Sequence, residues 1–219
     1  MYHYTIMQNH HTLTDRCCLH LDRTLRTLFG NARTTNRIHP AKDVVQKTLI
    51  QKEREQSAAI MRINHAGEIC AQALYHGQAT TSHSATIREK MEHAALEEGD
   101  HLTWCRSRLK ELKSHTSYLN PLWYLGSFCI GQLAGRLGDQ WSLGFVAETE
   151  RQVIKHLEKQ CLLLPKSDDR SRAILRQMEV DEAKHQTMAM DAGAAVLPRL
   201  IQKIMRLTAS VMVKTSYYV

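Results

Sequence analysis

Apolar residues recur every three or four positions along most of this 219-residue chain, and no stretch alternates between apolar and polar residues as a strand does. That period places apolar side chains on one face of a helix. Only four prolines interrupt the pattern. The sequence therefore predicts an all-α fold with helices over residues 14–29, 41–80 (with a break allowed near Ser57), 86–113, 121–137, 140–164, 168–191 and 198–214.

Short motifs locate several of the predicted helix ends. Thr86 and Glu89 have the spacing of a capping box, in which two side chains satisfy free backbone N–H groups. Pro121 and Pro198 suit the first turn of a helix, and Pro165 ends the helix before it. These motifs predict short turns between the long helices.

The chain is long enough for one domain with a substantial core, which we assign to residues 41–219. Residues 1–40 are predicted to form a basic N-terminal extension. Its short amphipathic helix carries Leu21, Leu25 and Leu28, and a linker follows from Asn31 to Pro40.

The formal net charge of +7 comes entirely from the two chain ends. Residues 1–40 hold five Arg against two Asp, and residues 192–219 hold four basic residues and no acid. The residues between them carry 20 basic and 20 acidic side chains. This distribution argues against a basic nucleic-acid groove across the body of the fold, so no nucleic-acid partner is expected.

The six cysteines show no Cys-x-x-Cys spacing, and the N-terminus lacks the apolar core of a signal peptide. A reduced, intracellular compartment fits this pattern best. We interpret the thiols as small buried hydrophobes rather than as sites of thiol chemistry.

Two predicted helices suit either core packing or contact with a membrane surface. Residues 121–135 contain no charge but are too short to cross a bilayer, and Trp123 and Tyr124 suit the headgroup level. Gly131 and Gly135 permit close packing against another helix. The last helix sets Leu200, Ile201, Ile204 and Val211 against Lys203, Arg206 and Lys214. Basic amphipathic helices of this kind commonly lie on anionic membranes.

Polar residues interrupt the core-facing stripes of three predicted helices. Each stripe is otherwise mostly apolar, and the interruptions are Glu98 and His101 between Ile87 and Leu112, Glu150 between Leu143 and Leu164, and Glu182 and His185 between Ile174 and Ala192. The acidic neighbours Glu97, Glu148 and Asp181 lie off these stripes. Carboxylates buried among apolar residues are costly unless positive charge compensates them, and the stripes contain no Lys or Arg.

Residue counts along two helical hairpins bring a fourth carboxylate to the same level. Glu68 lies as far before the first turn as Glu98 lies after it, and Glu150 and Glu182 are matched in the same way around the second turn. Each hairpin thus pairs one Glu with one Glu-x-x-His. This repeat favours a metal site over core polar residues that satisfy one another.

Six ligands are therefore predicted, and they divide between two metal ions: Glu68, Glu98, His101, Glu150, Glu182 and His185. We expect Glu98 and Glu182 to bridge, Glu68 and Glu150 to be terminal, and His101 and His185 to bind one metal each. Oxygen and imidazole donors without thiolate favour iron, then manganese, over zinc. Among the other histidines, His65, His76 and His93 lack this placement, and His156 is a candidate for proton transfer near the centre.

Around these residues the chain resembles a known family, the ferritin-like di-iron hydroxylases of ubiquinone biosynthesis. The resemblance covers residues 58–219. It rests on MRINHAGEICAQALYHGQ (61–78), EEGDHLTWC (97–105), LNPLWYLGSF (119–128), SLGFVAETERQV (142–153), VDEAKH (180–185) and the closing KTSYYV. It implies a ferritin-like four-helix bundle with two additional membrane-associating helices, and two iron ions on the same six residues.

The resemblance also implies an activity and a location. The expected reaction is O2-dependent monooxygenation, which adds one hydroxyl to the ring of a polyprenyl methyl-methoxy-benzoquinol, demethoxyubiquinol. NADH or the quinol itself would supply electrons, although the chain carries no dinucleotide-binding fingerprint. Because the isoprenoid tail stays in the bilayer, we expect peripheral contact with the cytoplasmic face of the cell membrane, where the helices 121–137 and 198–214 flank a tunnel to the centre. A homo-oligomer or a lipid-presenting partner protein is compatible with this arrangement.

One residue departs from the family pattern. Gly99 stands inside Glu98-Gly-Asp-His101, where family members more often carry a helix former. It is expected to cost the helix up to about 1 kcal/mol and to loosen the site slightly. Two rival functions are a ferritin-type ferroxidase that stores iron and a non-catalytic basic helical membrane adaptor. The ferroxidase has no use for the apolar helix between the hairpins, and the adaptor leaves the buried carboxylates unexplained.

Overall fold

The computed structural model describes residues 12–219, and within that range it contains seven helices and no strand. The all-α prediction is confirmed. The helices are α1 Leu13–Phe29, α2 Gln51–Thr81, α3 Ala85–Glu111, α4 Asn120–Arg136, α5 Asp139–Leu163, α6 Asp169–Asp191 and α7 Arg199–Tyr218.

Helices α2, α3, α5 and α6 form a four-helix bundle made of two hairpins, as in ferritin-like folds. Helix α2 packs along α3, α5 packs along α6, and α3 meets α6 between the hairpins. Helix α4 connects the hairpins and lies against α2. The last helix, α7, packs against α2 and also touches α5. The first helix, α1, contacts α2 and α4.

The predicted start of α2 at residue 41 is wrong, because the helix begins at Gln51. Residues 40–43 instead form a turn, in which the Lys42 N–H donates to the His39 carbonyl oxygen at 2.9 Å. Ala41 is buried, so apolar side chains of this segment reach the core without a helix. The break allowed near Ser57 is also absent, since α2 runs through this buried residue without interruption.

The predicted capping box at the start of α3 is wrong as well. Ser84 caps this helix, and its hydroxyl accepts a hydrogen bond from the Ile87 N–H at 3.4 Å. The carboxylate of Asp139 accepts from the backbone N–H groups of His83 and Ser84 and so fixes the turn two residues earlier than predicted. A contact distant in sequence therefore decides where α3 begins.

The prolines follow their predicted positions with one shift. Pro121 lies in the first turn of α4, and Pro165 follows the end of α5. Pro198 occupies the N-cap position directly before α7 rather than lying in the first turn of that helix.

Glycines bring α4 and α2 into close contact, as the Gly131 and Gly135 spacing predicts. A Cβ atom built on Gly131 would lie 2.4 Å from the Leu74 carbonyl oxygen, and one on Gly77 would lie 2.3 Å from the Phe128 carbonyl oxygen. Only residues without a side chain permit these approaches. Helix α4 is thereby held along the outside of the bundle.

The bundle core has two apolar layers with a polar layer between them. One layer includes Met61, Leu109 and Met178, and the other includes Met91 and Leu143. Along each bundle helix, the predicted ligands lie between residues of the two layers. The fold thus closes the ligands off on two sides with apolar side chains.

All six cysteines lie in the described part of the chain and are free thiols. Cys105 is buried, whereas Cys17, Cys18 and Cys129 are exposed. The interpretation as buried hydrophobes is therefore wrong for these three exposed residues, two of which lie on α1.

Candidate metal centre

The structure brings all six predicted ligands together in the polar layer. Their donor atoms form two sets of four, and within each set all donors lie within 4.8 Å of one another. One set is Glu68, Glu98, His101 and Glu182, and the other is Glu98, Glu150, Glu182 and His185. Every member is buried. Because Glu98 and Glu182 belong to both sets, they occupy the places of bridging carboxylates.

Helical spacing explains how each histidine joins its carboxylates. Residues three apart lie on the same face of a helix, which places His101 above Glu98 and His185 above Glu182. The Nδ1 atom of His101 lies 2.9 Å from Glu98 Oε2 and 3.2 Å from Glu182 Oε1. The Nδ1 atom of His185 lies 3.2 Å from oxygens of the same two carboxylates. Both rings therefore direct Nδ1 into the cluster.

The outer nitrogen of each histidine meets an acid that the sequence analysis set aside. His101 Nε2 lies 3.2 Å from Asp181 Oδ2, and His185 Nε2 lies 2.8 Å from Glu97 Oε2. A carboxylate at Nε2 keeps the proton on that nitrogen and leaves the Nδ1 lone pair free for a metal. The sequence did offer one signal, because each acid directly precedes the Glu of a Glu-x-x-His motif. The structure shows that each acid contacts the histidine of the other hairpin.

Tyr75 is a further residue that the sequence analysis missed. Its hydroxyl donates a hydrogen bond to Glu150 Oε1, and its ring packs edge-on against His185 with 6.3 Å between ring centroids. Tyr75 follows Glu68 by seven residues, two helical turns, so its spacing was the available signal.

Burial and charge shift the pKa values of the cluster in opposite directions. Burial and repulsion from Glu98 raise the pKa of Glu68, and burial with repulsion from Glu182 and Glu98 raises that of Glu150. Burial opposes the charged form of both histidines, but the surrounding carboxylates outweigh it and raise the pKa of His101 and of His185. The protein without a cation therefore holds protons in this layer, and a metal ion would displace them.

The donor set fits two divalent metal ions. Glu98 Oε1 is buried and accepts no hydrogen bond from any residue of the described chain, although His185 Nδ1 lies 3.2 Å away outside hydrogen-bond geometry. A cation would give this oxygen its missing partner. Four carboxylates would balance two divalent charges, and neither set contains a cysteine.

His156 does not join this centre. Its Nε2 lies 2.7 Å from the Gln160 amide on its own helix, and burial lowers its pKa. The expectation that it moves protons near the metals therefore has no support in the contacts of residues 12–219.

The segment between α1 and α2 covers the His101 side of the centre. The Arg37 guanidinium donates to Asp181 Oδ2 at 2.7 Å and to Asp100 Oδ2 at 3.1 Å. A Cβ atom on Gly99 would lie 1.8 Å from the Arg33 carbonyl oxygen. Gly99 thus gives room for the backbone of this segment, a role that its low helix propensity did not indicate. The division of the chain at residue 40 stays a prediction.

Comparisons with known proteins place this chain among named relatives. The family model described as "Ubiquinone biosynthesis protein COQ7" matches residues 55–216. The chain is 52% identical to the 3-demethoxyubiquinol 3-hydroxylase of Nitrosococcus oceani over 205 residues, which are 94% of this chain and 96% of that protein. It is 50% identical to the protein of the same name from Nitrosomonas eutropha over 205 residues, 94% of this chain and 98% of that protein. For the Acinetobacter baumannii protein of that name, the identity is 49% over 209 residues, 95% of this chain and 99% of that protein.

Proposed function

This chain belongs to the COQ7 family of ubiquinone biosynthesis proteins, and we propose that it hydroxylates its benzoquinol substrate at two iron ions held by Glu68, Glu98, His101, Glu150, Glu182 and His185. It is a 3-demethoxyubiquinol 3-hydroxylase, since relatives of that name share about half of its residues over nearly the whole chain. The rival functions, a storage ferroxidase and a non-catalytic adaptor, find no support among these relatives.

One observation carries the di-iron proposal, namely that two four-donor sets share Glu98 and Glu182. Two metal ions held by two shared carboxylates would be close enough for both to contact one small molecule. Oxygen and imidazole donors favour iron over zinc.

The chemistry that iron supplies when bound is the reduction of dioxygen, with one oxygen atom entering the quinol ring and the other leaving as water. The balance also requires two electrons and two protons, which NADH with one proton from solvent, or a quinol, would supply.

The protein's own residues hold the ligands in place for this reaction. Asp181 and Glu97 keep the histidine protons on Nε2, and the Tyr75 hydroxyl fixes one oxygen of Glu150. The apolar layers on both sides exclude water, which protects a reactive site from side reactions.

The test is iron content together with product formation. We expect wild-type protein to bind about two iron ions per chain and to convert demethoxyubiquinol to its hydroxylated product. The double variant Glu98→Gln and Glu182→Gln should lose iron and hydroxylation together, because each metal loses two of its four protein ligands. The control variant Glu89→Gln and Glu158→Gln changes two exposed glutamates and should keep both. Normal iron content in the Glu98 and Glu182 variant would contradict the assignment.

We further propose that the protein acts at the cytoplasmic face of the cell membrane as a peripheral protein. No helix in residues 12–219 is both long and apolar enough to cross a bilayer. The substrate tail nevertheless favours the membrane, since each CH2 group buried in lipid is worth about 0.8 kcal/mol.

Exposed apolar residues on α7 support this contact. Leu200, Ile204 and Val211 point into solvent with 69%, 55% and 49% of their surface exposed, so this face of α7 does not pack in the core. The basic residues of the helix, Arg199, Lys203, Arg206 and Lys214, are exposed as well. A helix with exposed apolar and basic residues suits an anionic lipid surface.

Helix α4 offers a second apolar surface, with Leu122, Leu125 and Leu133 each about 60% exposed. Tyr124 is not available at the headgroup level, because it is buried and its hydroxyl lies 3.1 Å from Thr24 Oγ1. A substrate tunnel between α4 and α7, a homo-oligomer and a lipid-presenting partner protein stay predictions.

A further inference from the structure

Arg37 reaches the metal centre from outside the four-helix bundle. Its guanidinium donates to Asp100 Oδ2 at 3.1 Å and to Asp181 Oδ2 at 2.7 Å, and it lies 5.0 Å from the centroid of the Trp104 ring. Burial would lower the pKa of Arg37, but the bonds to Asp181 and Asp100 outweigh it and raise the pKa. The side chain is therefore a fixed positive charge with two acidic partners.

Asp181 links Arg37 to a predicted metal ligand. Its Oδ2 atom accepts from Arg37 and lies 3.2 Å from His101 Nε2, so two donors converge on one oxygen. Its Oδ1 atom accepts from Gln177 and Lys184, each at 3.1 Å. Burial alone would raise the pKa of Asp181, but these four donors lower it. Asp181 is thus a buried, ionised acceptor with both oxygens in use.

The backbone around Arg37 is fastened to α3. The Arg106 guanidinium donates to the carbonyl oxygens of Gly30 and Thr27, and the Thr35 hydroxyl donates to Asp100. Gly99 leaves room for the Arg33 carbonyl. These contacts set where the Arg37 side chain can point.

In the other half of the centre, no arginine of the described chain forms a hydrogen bond or ion pair with Glu97. Glu97, the acid at His185 Nε2, has a side chain that is 26% exposed, and its second partner is the exposed His93 at 3.5 Å. Asp181 has a side chain only 2% exposed. The two halves share a ligand pattern, but they differ in the side chains that hold the acid at the histidine Nε2, which is Asp181 in one half and Glu97 in the other.

We propose that Arg37 is a positioning residue for the His101 half of the metal centre, where it fixes Asp181 and Asp181 in turn fixes the His101 ring. This inference rests on the proposed function, because it assigns a role relative to a metal at Nδ1 of His101. It makes residues 30–40 part of the centre and makes the two metal positions unequal.

The test compares iron release and the Mössbauer spectrum of iron-loaded wild type with those of Arg37→Gln. Loss of a residue that orients a ligand weakens metal binding by about tenfold or more. We expect half of the iron in Arg37→Gln to be released to a chelator about tenfold faster than in wild type, with a changed spectrum for that half only. Arg37→Lys should give an intermediate rate, since one ammonium cannot hold both Asp100 and Asp181.

Two controls separate positioning from general stability. Arg26→Gln removes an exposed arginine that pairs with Asp22 on α1, and it should leave the rate and the spectrum unchanged. In an Asp181→Asn background, Arg37→Gln should add less change than it causes alone, because its route through Asp181 is lost and only the 3.4 Å approach of its guanidinium to His101 Nε2 remains.

Each outcome decides the inference. Unchanged release and spectrum in folded Arg37→Gln would overturn it while leaving the di-iron proposal intact. If that variant does not fold, a wild-type release rate in Arg37→Lys would overturn it instead. A wild type that binds no iron would overturn both the inference and the proposed function.

Discussion

His65 is a buried histidine that lies outside the candidate metal centre. Its side chain has no exposed surface, its Nδ1 lies 3.4 Å from the Asn120 amide nitrogen, and its Nε2 has no hydrogen-bond partner among residues 12–219. Burial, with a smaller effect from Arg106, lowers its pKa from 6.5 to about 3. The native protein therefore holds this ring neutral where an unfolded chain would protonate it.

This difference predicts a loss of stability in acid. Between the unfolded pKa of 6.5 and the folded value of about 3, the unfolded state binds a proton that the native state does not, so the free energy of unfolding falls as the pH falls. At about pH 5 the contribution of one such histidine is roughly 2 kcal/mol. The measurement is the free energy of unfolding from urea titrations at about pH 7.5 and about pH 5. The decrease of this free energy from the higher to the lower pH should be roughly 2 kcal/mol smaller for His65→Gln than for wild type.

His83→Gln, at an exposed position, is the matched control and should lose as much stability as wild type. Equal losses in wild type and His65→Gln would show that His65 is not held neutral.

At the scale of single residues, five of the six predicted ligands could be found as polar side chains on the core stripes of regular helices, and Glu68 could be found from its level in the first hairpin. Asp181, Glu97 and Arg37 could not be found in that way. The two acids lie off the core stripes and contact histidines of the opposite hairpin, and Arg37 arrives from a segment without periodicity. Their roles depend on contacts between distant parts of the chain.

At Gly99 in α3, helix propensity favours alanine, whereas packing against the N-terminal segment favours glycine. Glycine to alanine in a helix interior gains about 1 kcal/mol when the new methyl group meets nothing. At Gly99 that methyl would lie 1.8 Å from the Arg33 carbonyl oxygen, a backbone atom that no side-chain rotation can move. Overpacking of this kind costs about 1–3 kcal/mol, so we expect the clash to outweigh the gain.

Gly99→Ala should therefore lower the free energy of unfolding and displace residues 30–40, with faster hydrogen exchange in that segment. Gly67→Ala is a close control, because Gly67 also lies next to a predicted ligand glutamate within a long helix and a Cβ there would meet nothing within 4 Å. The Gly67→Ala variant should have a free energy of unfolding that is higher than that of wild type by up to about 1 kcal/mol. Equal stabilisation of both variants would show that the N-terminal segment does not lie against α3.

At the scale of elements, the two hairpins could be predicted because residue counts on their arms match around short turns. The start of α2 could not, because Ala41 satisfies the apolar pattern from a turn that precedes the helix. The cap of α3 was missed because Asp139, which is more than 50 residues away in sequence, fixes the turn before it. Both errors come from tertiary contacts that override local signals.

At the scale of the whole molecule, the apolar residues divide between two roles. Those on the inner stripes of the bundle form the layers above and below the candidate metal centre. Those on α4 and α7 lie on the outside, where hydropathy alone did not distinguish core packing from lipid contact. Exposure of Leu200, Ile204 and Val211 next to four basic residues favours lipid contact for α7.

Binding to an anionic membrane should therefore depend on the basic residues of α7 in particular and not only on the net charge of the protein. A basic residue near an anionic membrane contributes about 1 kcal/mol, so changing Arg199, Lys203, Arg206 and Lys214 together to Gln should weaken binding to phosphatidylserine-containing vesicles by at least about tenfold at moderate salt. The control changes Lys110, Lys155, Lys159 and Lys166 to Gln, which removes the same charge from exposed positions outside α7. It should bind nearly as wild type does in vesicle sedimentation. Equal weakening of both variants would indicate a response to net charge alone, and unchanged binding of the α7 variant would leave its apolar residues as the membrane contact.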